Sequence, residues 1–102
     1  MKLPNEIQIG SRHYKVLSQE RVQSETEVLW GKIVHDLGQI VIDEKLDGNE
    51  ALRTEVLFHE ILHGICEVWG VNCDEYPIRA LASGILDTVR RNGLDLLNED
   101  LV

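Results

Sequence analysis

His59, Glu60 and His63 stand in the arrangement HExxH, written out as His59-Glu60-Ile61-Leu62-His63. On a helix, residues four apart lie about 40° from each other and roughly 6 Å along the axis. Both imidazoles can then reach one tetrahedral Zn²⁺ at bond lengths of about 2.0–2.1 Å. Glu60 is turned about 100° from His59, so its carboxylate projects beside the metal rather than onto it. From there it can take the proton of a water held by the metal and hand it to a leaving amine. The chemistry is metal-assisted hydrolysis. As mere packing, two imidazoles and a glutamate on an apolar helix face would be costly without partners.

Such a site needs a third protein ligand and an open position for water. Glu67 follows His63 by four, but its Cα lies about 9 Å along the axis from the midpoint of the histidines. It reads as a solvated charge at the rim. Glu75 is the preferred ligand, three before Ile78 and seven before Ala82, at the edge of an apolar stripe that faces the HExxH helix. Asp74 is the alternative from the same segment, although it is also the natural N-cap. Cys66, Cys73, His35 and His13 are weaker alternatives, and Asp87 projects from the opposite face. Tyr76 and His35 are the candidates for stabilising an oxyanion.

The elements that must position these groups are legible from periodicity. Ile7 and Ile9 alternate with polar neighbours before Gly10-Ser11, and Tyr14, Val16 and Leu17 continue beyond, which predicts a hairpin. Leu29 to His35 and Gln39 to Asp43 are two β-rich runs around Asp36-Leu37-Gly38, a second hairpin. Residues 18–28 are ambiguous. From Glu50 to Trp69 nothing breaks a helix except the tolerated Gly64; Asn49 or Asp47 can cap it and Gly70 can end it. Nearly every direction of that helix is apolar, with one polar wedge containing Arg53, Glu60 and Glu67, beside His59 and His63. A second helix begins near Asp74 and ends around Asn92-Gly93, with a stripe of Ile78, Leu81, Ala82, Ile85, Leu86 and Val89. Leu94 to Val102 could add one helical turn. Trp30 and Trp69 are expected in the core, since few other aromatics are available to fill it.

The chain has 102 residues, 43% hydrophobic and 27% charged, enough for one domain with a modest core. The reading is a single α+β domain over 1–102, β-rich from 1 to 46 and helical from 49 to 102. Acidic residues outnumber basic ones 18 to 10, for a formal charge of −8, which argues against nucleic-acid binding. The acidic residues are dispersed among basic ones, which weakens an acidic DNA mimic as well. No uncharged run approaches a membrane span, and Met1 to Glu6 carries no secretory pattern. Cys66 and Cys73 form no CxxC pair. They are expected to be reduced thiols in a cytoplasmic protein.

The order of hairpin, Gly38-Gln39-Ile40-Val41-Ile42-Asp43 and Thr54-Glu55-Val56-Leu57-Phe58-His59-Glu60-Ile61-Leu62-His63 resembles the zincin metallopeptidases. Among them it is most similar to the compact ImmA/IrrE-like proteins of phages and bacteria and to the minigluzincins. The likeness covers roughly residues 29 to 92, and its sharp part is the decapeptide around HExxH. It implies a small twisted sheet over an active-site helix, with a backing helix that supplies a glutamate. By the same resemblance His59 and His63 are zinc ligands, Glu60 is the general base and Glu75 is the third ligand. Gluzincins usually place that glutamate somewhat farther beyond the second histidine. The expected activity is zinc-dependent hydrolysis of a peptide or protein substrate. The alternative is a latent zinc-binding module that engages a protein partner.

Overall fold

Alternation of Ile7 and Ile9 with Glu6 and Gln8 produces β1 (Glu6–Ile9), and the Gly10-Ser11 turn leads into its antiparallel neighbour β2 (Arg12–Gln19). β3 (Gly31–Val34) and β4 (Gln39–Asp43) form the second expected hairpin. The computed structural model describes residues 3–23, 30–72 and 74–94. The expected helical turn in the tail falls outside these beyond Leu94, as do residues 24–28 of the ambiguous stretch before β3, whose start, Ser18 and Gln19, belongs to β2.

Local pattern predicts both hairpins but not how they join. β2 and β4 pair in parallel, which gives the sheet order β1-β2-β4-β3. The reason is apolar content. Ile40, Val41 and Ile42 of β4 are all buried, so this strand takes an interior place and leaves β3 at the edge. Asp43 ends β4, and its carboxylate accepts from the backbone N–H of Lys45 and of Val22, both at 2.9 Å. Those two bonds, Lys45 first, hold its pKa below the ordinary value. A short 3-10 turn at Glu44–Leu46 follows.

Helix α1 (Glu50–Trp69) starts at Asn49, whose side chain accepts from Leu52 N at 3.2 Å, and stops at Gly70 in the left-handed conformation. Helix α2 spans Glu75–Arg91. Asp74 occupies its N-cap position, yet the side chain makes no capping bond there. α1 forms the middle layer. Toward the sheet, Val56 and Leu57 join Ile9, Tyr14, Ile40, Ile42 and Leu46 in the main core. Toward α2, Phe58 meets Ala82 and Leu86 in a smaller cluster. The architecture is α+β, a four-stranded sheet with two helices.

Three residues expected in the core lie largely outside it: Trp30 is 52% exposed, Leu81 53% and Trp69 61%. α1 runs for 20 residues, about 30 Å, and in its last turn Val68 faces the main core, which turns its neighbour Trp69 aside. The Trp69 ring lies beside Gly10 in the β1–β2 turn. On α2 the fully buried positions are Ile78, Ala82 and Leu86, a strict i, i+4, i+8 row, and Leu81 lies to one side of it. Tyr14, with no exposed surface, takes the aromatic place in the core.

The expectation of reduced thiols is also corrected. Cys66 is disulfide-bonded, which removes one support for a cytoplasmic setting. Cys73 lies outside the described residues. Spacing around a helix end carries no signal of redox state, so the sequence could not have shown this. Among the described residues, no helix is long and apolar enough to cross a membrane.

Candidate metal centre

Consecutive turns of α1 present His59 and His63 on one side, with ring centroids 4.9 Å apart and planes inclined at 62°. Glu60, one residue on, turns toward β3 and is only 7% exposed. Two glycines let helix and sheet approach this closely. A Cβ on Gly31 would lie 2.6 Å from Val56 Cγ1 and 3.1 Å from Val41 O, with Glu60 Cγ at 3.8 Å. A Cβ on Gly64 would lie 2.6 Å from Ile9 Cδ1 and 3.0 Å from Ile33 Cδ1.

The two positions differ in what must move. Val56 is β-branched and held in one rotamer by the helix, and Val41 O is backbone. The isoleucine tips facing Gly64 can rotate, and alanine there gains about 1 kcal/mol of helix propensity. Gly31→Ala is therefore expected to destabilise the protein by about 1–3 kcal/mol, while Gly64→Ala changes stability by less than about 1 kcal/mol. Urea unfolding of both variants measures this; equal costs would mean that the approach at β3 is looser than described.

The short connection after α1 returns the chain so that the first residue of α2, Glu75, faces both histidines. Its Oε1 lies 2.6 Å from His59 Nε2 and its Oε2 lies 3.0 Å from His63 Nε2. These are distances of N–H donation into a carboxylate. The three ligand atoms all lie within 4.8 Å of one another. Ligands around a tetrahedral zinc at 2.0–2.1 Å are about 3.3 Å apart, so shifts on the order of 1 Å would accommodate an ion. Two imidazoles and a carboxylate are also a suitable donor set for zinc, and three protein ligands leave a fourth position open.

Burial sets the electrostatics. It lowers the pKa of His59, against the opposing attraction of Glu75, and so favours the neutral imidazole that metals need. Desolvation, helped by the negative charge of Glu75, pushes Glu60 up to about 7. A carboxyl poised there can exchange a proton near neutrality.

The site opens into a cleft of about 970 Å³ between β3 and the two helices. Of the other sequence candidates, His35 lines this cleft, and its Nδ1 lies 3.2 Å from the hydroxyl of buried Tyr14. Tyr76 is 80% exposed and is not part of the lining. His13 of β2 pairs with Glu6 of the edge strand β1 at 2.6 Å. Glu67 and Asp74 are exposed and Asp87 pairs with Arg91 at 2.8 Å; none of these three belongs to the cluster.

Sequence reasoning did not single out Lys32 or Arg79, both of which line the cleft, and it assigned Trp30 to the core. For Arg79 there was a signal: it follows Glu75 by four and therefore shares its face. For Lys32 and Trp30 the necessary fact was that β3 is an edge strand. No known protein family matches the chain, and neither a curated protein nor a solved structure is significantly similar to it.

Proposed function

We propose that the chain is a zinc-dependent peptide hydrolase of compact zincin type. The observation that carries this reading is the meeting of His59, His63 and Glu75 from two helices, with buried Glu60 beside them. His59, His63 and Glu75 would hold the ion. When bound, zinc supplies Lewis-acid polarisation of a carbonyl and makes water more acidic.

The chain's own groups do the rest. Glu60 accepts a proton from the attacking water and delivers it to the leaving amine, which its raised pKa suits it to do in both directions. The wall of helix and strand around Glu60 excludes bulk water from that transfer. An extended substrate has one strand beside the site to pair with. β4 is interior, and among the described residues β3 is the edge strand beside the site, so it offers that pairing. His35, oriented by Tyr14, stands at that edge as the available donor toward a developing oxyanion.

Metal content tests the reading first. Tag-free protein, loaded with zinc and freed of excess, is expected to retain about one zinc per chain by elemental mass spectrometry and to cleave members of a mixed peptide library. A loaded chain that retains no zinc would rule out the assignment.

A further inference from the structure

We infer that the cleft selects substrates carrying a carboxylate, held by Arg79 of α2 and Lys32 of β3 within one or two residues of the scissile bond. The inference rests on the hydrolase reading above and names the substrate class of the same site.

The chain is strongly acidic, with a formal charge of −8, yet both walls of this cleft carry a cation. Its carboxylates are already engaged. Glu55 accepts from Ser83 Oγ at 2.8 Å, Glu60 is buried, and Glu75 is shared by two imidazoles. The cations are held more weakly. The nearest approach of Arg79 to Glu75 is 3.9 Å, and its side chain is 72% exposed. Lys32 Nζ donates to the backbone carbonyl of Gln23 at 3.3 Å, a dipole rather than a charge.

Position fixes where a bound carboxylate would sit. Arg79 is one helical turn beyond Glu75, about 6 Å along α2, and its guanidinium reaches to 3.9 Å from Glu75 Oε1. An extended peptide advances about 3.3–3.6 Å per residue. A carboxylate gripped by the Arg79 guanidinium therefore belongs to a residue one or two places from the bond at the metal ligands. Arginine suits this task because its planar fork can engage both carboxylate oxygens. An Asp or Glu side chain and a free peptide C-terminus present the same group.

Three fluorescent octapeptides separate the sources: one with a central Glu and an amidated end, one with Gln and an amidated end, and one with Gln and a free C-terminal carboxylate. Binding is read by anisotropy on the full chain carrying Glu60→Gln, with and without zinc. Cleavage is read on the unaltered, zinc-loaded chain. The Glu peptide, the free-carboxylate peptide, or both are expected to bind about tenfold more tightly than the neutral amide. In Arg79→Glu combined with Lys32→Glu this preference should fall below about twofold, with zinc content unchanged.

Equal binding of all three peptides, or no binding of any, overturns the inference even if cleavage occurs. So does a preference that requires zinc and survives the two reversals, since the carboxylate would then sit on the metal. A preference that the reversals abolish supports the carboxylate site. If that preference is found but neither these peptides nor a mixed peptide library is cleaved, the hydrolase reading fails and the carboxylate site stands.

Discussion

Glu60→Gln is expected to lower peptide hydrolysis by about 10²–10⁴-fold while the chain still takes up zinc. Glutamine keeps the size and shape of the side chain, so its place beside Gly31 survives, but it cannot accept the proton. His59, His63 and Glu75, which gather the three ligand atoms, are untouched. Zinc content and single-turnover cleavage, measured on the same preparation, separate a lost base from a lost metal. Undiminished hydrolysis would remove Glu60 from the mechanism.

The same substitution has a second signature in the metal-free protein. The pKa of Glu60 is raised from 4.5 to about 7, so between those values the folded chain holds a proton that the unfolded chain has released. Stability is therefore greatest below about pH 4.5 on this account and falls as pH rises toward 7, by an amount on the order of 3 kcal/mol. Glutamine does not titrate, and the decline should flatten in the variant. Denaturant unfolding across this range reads it directly. An unchanged profile would mean that Glu60 is better solvated than its burial implies.

The second large effect concerns the ligands. His63→Ala and Glu75→Ala are each expected to weaken zinc binding by more than about 100-fold, above the 10–100-fold loss typical of groups that only orient a ligand. Asp74→Asn should stay within about twofold, because this side chain lies outside the cluster despite being adjacent in sequence. Competition with a chromophoric chelator measures all three. If Asp74→Asn had the larger effect and Glu75→Ala the smaller, the third ligand would be misassigned.

How much of this was visible before any coordinates depends on the range of the interactions involved. The HExxH spacing, the Asn49 cap, the Gly70 stop and both hairpins are local features, and each was legible from neighbours a few residues apart. Glu75 required one more step, from a stripe on α2 to the face of α1 that it must cover. The parallel pairing of β2 with β4 is settled by competition for the most buried position, which no window of residues contains. Trp30 and Trp69 fail as core predictions for the same reason: hydrophobicity identifies what would gain from burial, but the reach of the sheet decides what is covered. Lys32 and Arg79 carry no signal in the sequence comparable to HExxH, because charged residues are ordinary on any surface until a cleft lies between them.

The layering has a consequence for how the chain holds together. α2 is anchored through Ile78, Ala82 and Leu86, the last two packed on Phe58, whereas α1 and β4 share the main core. α2 makes no part of the main core, so it is a local unit able to open while the sheet and α1 persist. Glu75 belongs to this unit, and the histidines belong to the other. An ion bound by all three would fasten the weaker unit to the stronger one, and its binding energy would count toward the cooperativity of the whole fold.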